Sequence, residues 1–217
     1  GSLLVAETQS AGRGRLGRSW ESPPGTGLYL SVILRPPLPP TELPKLTLMA
    51  AVAVVKAIQE VTGLETGIKW PNDILLAGKK LGGILTEMET ESDQMSHVIL
   101  GMGLNINTPI FPDHLKSLAT SLSSTGRTYS RLAILQALLH HLDGLYGKFL
   151  GQEFSVILNM WRRAAVTLGQ PVRVKLGERE ITGLAVDVAP DGALLVEKPG
   201  GEVERIISGE IQQASCQ

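Results

Sequence analysis

Three arginines fall within six residues in Gly12-Arg13-Gly14-Arg15-Leu16-Gly17-Arg18, with Trp20 just beyond. Guanidinium groups on a mobile glycine backbone suit a polyphosphate or phosphoester, which they grip bidentately. The competing reading is a solvated basic loop. Formally the segment also fits GxGxxG after a strand, but a dinucleotide site needs a helix to open there. Arg18-Ser19-Trp20-Glu21-Ser22-Pro23-Pro24-Gly25 cannot continue as a helix, so a Rossmann site is excluded. The sequence also lacks GxxxxGK[ST], the kinase HRD and DFG triplets, and GxSxG.

A second constellation is Lys69-Trp70-Pro71-Asn72-Asp73, where a lysine and an aspartate straddle a proline-fixed turn. One rim would then carry a phosphate-binding cation and a carboxylate able to meet magnesium. An ordinary Asn-Asp turn with Trp70 in the core explains the same residues. Lys79-Lys80-Leu81-Gly82-Gly83 brings a lysine into a strand whose glycines let a ligand or another backbone approach closely. Its plain alternative is a lysine at a hairpin tip. Gly101-Met102-Gly103-Leu104-Asn105-Ile106-Asn107 places glycines inside a strand, which reads as a ligand seat or a β-bulge. His97, His114, His140 and His141 match no metal-ligand spacing, and Glu87, Glu89 and Glu91 read as a solvated strand edge.

These residues need elements to position them. Strands are expected at 3–7 and 28–34, separated by a long loop over 9–27. Thr41 is expected to cap a helix with Pro44 in its first turn, running to Gly63. Two short strands within 67–76 flank the Pro-Asn-Asp turn, Gly78-Lys79 turns the chain into a strand at 81–87, and another follows at 97–107. After Ser130 a long helix carries Leu132, Leu135, Leu139, Leu142, Tyr146 and Phe149 at a period of 3.6 and stops at Gly151. One more helix covers 154–165. From Gly169 onward, short strand runs and turns read as a small barrel. The expected class is α+β: a mixed sheet with flanking helices over 1–168, then a small C-terminal β-barrel over 169–217.

The 217 residues, 43% hydrophobic and 19% charged, can bury a core, which excludes a disordered chain. A formal net charge of -1 offers no global attraction to nucleic acid or anionic membrane, so anion binding must be local. No apolar run approaches a bilayer span, and no signal peptide is expected from the opening strand pattern. The single cysteine, Cys216, excludes a disulfide framework and fits a reducing cytoplasm. Because the chain opens on Gly1-Ser2 without methionine, its natural start is not expected at Gly1.

Taken in order, the motifs resemble the biotin–protein ligase family. Residues Glu7 to Trp20 are similar to its glycine-arginine loop, and Lys69-Trp70-Pro71-Asn72-Asp73 to its KWPND turn. Lys80-Leu81-Gly82-Gly83-Ile84-Leu85 resembles its K-L-x-G-I-L strand, and Gly101-Met102-Gly103-Leu104-Asn105 its G-x-G-x-N segment. The resemblance extends to the C-terminal barrel with Ser208-Gly209-Glu210-Ile211, and the barrel is expected to be SH3-like. Each motif alone is weak; four in register are specific.

The resemblance implies condensation of biotin with ATP to biotinyl-5'-AMP, then transfer of biotin to a lysine of a biotin carboxyl carrier protein, with magnesium. It implies Lys80 and Arg15 as the catalytic pair that holds the carboxylate and the α-phosphate. Biotin contacts fall to Gln9, Arg13, Gly14, Arg15, Lys80 and Gly83. ATP contacts fall to Arg15, Arg18, Trp20, Lys69, Asn72, Asp73 and Asn105, with Trp20 against adenine and Asp73 on magnesium. Residues 108–118 resemble a second mobile loop that closes over the nucleotide.

One departure stands out. The family carries, before the first strand, a Ser/Thr-Thr-Asn-type segment that binds the ureido end of biotin, and the sequence as given lacks it. No helix-turn-helix is expected ahead of the catalytic part either, so DNA-binding repressor activity gains no support from the sequence. The competing enzyme is a lipoate or octanoate ligase or transferase of the same fold. The competing class is a biotin or nucleotide sensor without turnover, against which Lys80, Arg15 and Asp73 argue. No nucleic-acid or membrane partner is expected. An edge strand at 100–106 leaves monomer and homodimer open, and Arg173 or Lys175 of the barrel either completes the ATP site or belongs to a packing module.

Overall fold

The computed structural model describes residues 1–91 and 94–213, so Cys216 lies outside the described residues. β1 (Ser2–Ala6) and β2 (Leu28–Leu34) pair antiparallel, and the glycine-arginine segment is the excursion between them. α1 (Leu43–Thr62) then carries the chain to β3 (Gly67–Lys69) at the far edge of the same sheet. Ala50, Ala51, Ala53 and Ala57 are fully buried along α1, which lets it lie close against its neighbours. A short 3-10 turn at Pro40–Glu42 makes Glu42, rather than Thr41, the N-cap, and no side chain caps the helix. Its end is as expected: Gly63 adopts φ 72 and donates its N–H to the Gln59 carbonyl.

β4 (Asp73–Leu76), β5 (Lys79–Glu91) and β6 (Gln94–Leu104) complete a six-stranded sheet ordered β1-β2-β6-β5-β4-β3. Every neighbouring pair is antiparallel, where a mixed sheet was expected. Successive hairpins from β3 to β6 can run only antiparallel, and β6 then returns against β2. Among the described residues, parallel pairing is confined to the isolated bridges Ile68 with Ala165 and Lys80 with Ala119. β6 lies inside the sheet, so residues 100–104 form no edge; the edges are β1 and β3. Pairing is regular through Gly101 and Gly103, which removes the bulge reading there.

α2 (Arg131–Leu150) and α3 (Phe154–Ala164) pack on α1. Ser130 caps α2 as expected, accepting from the Ala133 N–H at 3.2 Å. The buried face only partly matches the expected one: Leu142 and Phe149 are inside as expected, with Leu135 and Tyr146 partly buried, but Ile134, Leu138 and Leu145 join them and Leu132 is 63% exposed. Two overlapping apolar stripes run along this leucine-rich helix, and packing on α1 selects one.

The rest forms a five-stranded antiparallel sheet: β7 (Pro171–Leu176), β8 (Arg179–Val188), β9 (Leu194–Glu197), β10 (Val203–Ile206) and β11 (Glu210–Gln213). Its order is β10-β9-β8-β7-β11. This sheet is fastened to the first. Arg162 on α3 forks onto Asp187 at 2.7 and 2.9 Å. Trp70, 1% exposed, donates its backbone N–H to Thr167 Oγ1 (2.9 Å) and its Nε1–H to the Gly192 carbonyl (3.1 Å). No helix among the described residues is long and apolar enough to cross a membrane.

Candidate active site

The glycine-arginine segment folds back on itself as a narrow ribbon. Trp20 N–H donates to the Gly12 carbonyl at 2.9 Å, Gly14 N–H to the Arg18 carbonyl at 2.7 Å, and Arg13 bridges Ser19. A Cβ at Gly12 would meet the Trp20 carbonyl at 2.5 Å, so only glycine permits this closure. No helix opens here beyond a 3-10 turn at Arg15–Gly17, consistent with the rejected dinucleotide reading. At the base, buried Ser22 accepts from Gln9 N–H (2.8 Å), and Thr8 Oγ1 donates to the Ser22 carbonyl (2.7 Å). Arg131, first residue of α2, pairs with Glu7 at 2.9 Å and holds its carboxyl below the usual carboxylate range.

Each ribbon arginine meets a protein acceptor. Arg13 pairs with Glu87 (3.2 Å), and Arg18 with Glu210. Arg15 Nη1 donates to Asn72 Oδ1 (3.1 Å) and to the Gly209 carbonyl (3.3 Å). Burial lowers the pKa of Arg15, and the nearby Asp73 and Glu210 oppose that shift. A guanidinium stays charged regardless, so the site keeps a partly desolvated cation.

The KWPND turn faces this ribbon. Lys69 stands opposite Asp73 across the β3–β4 pair, and Asn72 Nδ2 donates to the Ile84 carbonyl at 2.8 Å. Asn72 therefore spends its amide on β5 and its oxygen on Arg15, so its visible work is to hold that arginine. Between β4 and β5 the register shifts at Ile74/Leu75, which brings Lys80 opposite Leu75. Such an irregularity re-aims side chains. Lys80 Nζ reaches Asp73 Oδ1 at 2.7 Å and lies 5.8 Å from the centre of the Trp20 ring.

Glycines form the floor. Gly83 on β5 pairs with Gly103 on β6, and the Trp20 indole lies directly on Gly103, where a Cβ would come within 2.5 Å of the ring. The floor opens into a cavity of about 1200 Å³. Gln9, Arg13, Gly14, Arg15, Arg18, Trp20, Lys69, Asn72, Asp73, Lys80, Gly83 and Asn105 all line it, so the twelve residues that the resemblance assigns to biotin and ATP converge on one space. Asn105, 5% exposed, donates Nδ2 to the Thr120 carbonyl at 3.1 Å. Residues 108–118 pass over the same cavity and contribute Ile110, Phe111, Leu115 and Leu118.

Gly209 and Glu210 carry no assigned role from sequence, yet they bring β11 onto the ribbon. They lie 194 and 192 positions from the arginines they hold, and no local pattern could announce that. Of the two barrel residues left open between an ATP-site role and a packing role, Arg173 pairs with Glu180 on the neighbouring strand at 3.4 Å. Lys175 does not line the cavity. Among the described residues no cluster of three or more His, Cys, Asp or Glu could hold a metal by protein ligands alone.

The class follows from the match of residues 1–105 to the Biotin/lipoate A/B protein ligase family and of residues 167–212 to the Biotin protein ligase C terminal domain. A solved biotin protein ligase from Aquifex aeolicus, in complex with biotin and ATP, superposes with a TM-score of 0.85. It is 34% identical and aligned over 98% of this chain and 88% of that one. The Biotin--[acetyl-CoA-carboxylase] ligase of Mycobacterium tuberculosis is 33% identical, over 97% of this chain and 78% of its own length. The Bifunctional ligase/repressor BirA of Bacillus subtilis is 42% identical over 98% of this chain. The chain spans 66% of that relative's length. The chain belongs to the biotin protein ligase family.

Proposed function

We infer that the protein is an ATP-dependent biotin–[acetyl-CoA-carboxylase] ligase that makes biotinyl-5'-AMP and passes biotin to a lysine of a biotin carboxyl carrier protein. The observation that carries this reading is the convergence of Lys80, Asp73, Arg15 and Trp20 over a glycine floor. A biotin carboxylate oxygen attacks the α-phosphorus of ATP, the bond to the bridging oxygen breaks, and pyrophosphate leaves. The barrier is the mutual repulsion of two anions, which preorganised cations lower. In the second step the carrier's lysine nitrogen attacks the acyl carbon, AMP leaves with the bonding pair, and the nitrogen loses a proton.

In this reading Lys80 and Arg15 hold the carboxylate and the α-phosphate, while Gln9, Arg13, Gly14 and Gly83 complete the biotin seat. Arg18, Lys69, Asn72 and Asn105 serve the nucleotide, and Trp20 lies against adenine. A single carboxylate fits magnesium, which usually takes one or two carboxylates and otherwise phosphate oxygens and water. Asp73 would hold it, and the ion would neutralise charge on the triphosphate. Residues 1–168 then form the catalytic domain and 169–217 an SH3-like barrel. The reading places the protein in the cytoplasm, as a monomer or a homodimer.

The test is pyrophosphate release with ATP and magnesium, offering biotin, lipoate or octanoate as the sole acid. Release with biotin alone is expected. Release with lipoate or octanoate instead would move the protein to the other branch of the fold, and no release by folded protein would make it a binder.

A further inference from the structure

Residues 109–118 are held unequally at their two ends. On the return side, Lys80 N–H donates to the Leu118 carbonyl (2.8 Å) and Thr120 N–H donates to the Lys80 carbonyl (2.9 Å). Asn105 holds the other flank through Thr120, and Leu122 and Ser123 N–H groups donate to the Asn105 and Ile106 carbonyls at 3.0 and 2.9 Å. The return arm is thus clamped between the strands that carry Lys80 and Asn105.

The outgoing side is tied more sparingly. Asn107 is secure: its N–H donates to the Thr26 carbonyl (2.7 Å), and its side chain exchanges two hydrogen bonds with the Tyr129 backbone. At Thr108 the main tie is Ser121 Oγ, which donates to the Thr108 carbonyl at 2.8 Å. The Thr108 hydroxyl adds only a 3.5 Å contact to Thr26. Ser121 and Thr108 are 2% and 4% exposed, so this bond sits out of water at the neck of the loop. Beyond it, the apolar tip residue Ile110 is 76% exposed, although the loop lines the cavity.

We propose that Ser121 is a positioning residue for the bound nucleotide, its hydroxyl acting as the latch of a one-hinged cover. The loop lifts by pivoting at Thr108, while its return arm stays fixed on Lys80. This rests on the reading of the cavity as the seat of an acyl-adenylate, with residues 109–118 covering it. A cover keeps water from the mixed anhydride, and its open population sets leakage. Ser121 touches no reacting atom; it sets how firmly the cover closes.

The experiment compares Ser121→Ala with Ser121→Thr, which restores the hydroxyl. Ser121→Ala should raise the KM for ATP and the rate of adenylate loss to solvent by about tenfold, the effect of one buried hydrogen bond. The kcat for pyrophosphate release should stay within about twofold, and Ser121→Thr should restore both altered values. A readout independent of turnover is trypsin cleavage after Lys116, whose side chain is 62% exposed, followed by mass spectrometry in ligand-free protein. That cut should be faster in Ser121→Ala and normal in Ser121→Thr. If wild-type protein activates no acid, the functional reading falls while the cleavage rate still tests the latch. Unchanged KM, leakage and cleavage in folded Ser121→Ala would overturn the proposal, as would loss of kcat with all three unchanged. Should Ser121→Ala fail to fold, Ser121→Cys, similar in shape but a weak donor, is read in the same way.

Discussion

Lys80, Asp73 and Asn72 sit on or beside paired strands, whereas Arg13, Arg15 and Arg18 hang from a glycine ribbon held by side-chain acceptors. The strand half is fixed by backbone ladders and by Trp70, which is sealed under the C-terminal sheet. The ribbon backbone closes on itself, but its outer arginines are held by contacts that a bound anion can replace: the Arg13 and Arg18 side chains are 72% and 64% exposed. Chemistry needs a cation whose position does not depend on the ligand, while capture needs cations that can follow it. The two halves meet at Arg15 and Asn72, where the most buried ribbon arginine docks on the turn.

Breaking the strand half should have the largest effect. Lys80→Ala removes the central cation and leaves Asp73 without its partner, so adenylate formation should fall by at least about 10²–10³, measured as pyrophosphate release. Arg15→Gly removes the joint between the halves. Adenylate should still form but escape faster, seen as free biotinyl-5'-AMP in the filtrate; unchanged escape would place Arg15 outside retention. Glu210→Gln tests the C-terminal hold on the ribbon. An exposed pair contributes about 0–1 kcal/mol, so the KM for ATP should change by at most about fivefold, and less at high salt.

Trp70→Phe deletes the bond to Gly192 and, because phenyl is smaller than the buried indole, also leaves a cavity under the C-terminal sheet. The lost hydrogen bond and the cavity together cost about 2–4 kcal/mol, which lowers Tm by about 4–16 °C, and kcat should hold; a collapse of kcat would show that the sheet contact positions the turn. The smallest effect belongs to Glu7. Its folded pKa lies below the ordinary 4.5 because of Arg131. Its stabilisation is therefore complete above about pH 4.5 and is lost as pH falls through the lower folded value. Glu7→Gln should flatten that acid limb in a Tm-against-pH series while leaving stability above pH 6 little dependent on pH.

The strand half was legible in the sequence because its signals are local. Pro71-Asn72-Asp73 forces a turn, Gly78-Lys79 forces a hairpin, and Lys80 follows within a few residues. All twelve candidate residues reach one cavity because three of the motifs lie on or between the neighbouring strands β3 to β6, and the ribbon between β1 and β2 folds over them. What hid was long-range. Gly209 and Glu210 act across almost the whole chain, and the buried face of α2 depends on how it packs on α1. Thr41 looked like a cap because Pro44 follows it, but the 3-10 turn moved the helix start. The mixed sheet was a default for an α+β chain; consecutive hairpins overruled it.

The division of labour is tested most directly by a rapid-quench and filtration assay with biotin, ATP and magnesium, and no carrier protein, that counts bound and free adenylate separately. Wild-type protein should retain its adenylate, Arg15→Gly should make it and release it, and Lys80→Ala should make almost none. An Arg15→Gly protein that makes no adenylate, or a Lys80→Ala protein that makes and leaks it, would contradict the assignment of chemistry to the strands and retention to the ribbon.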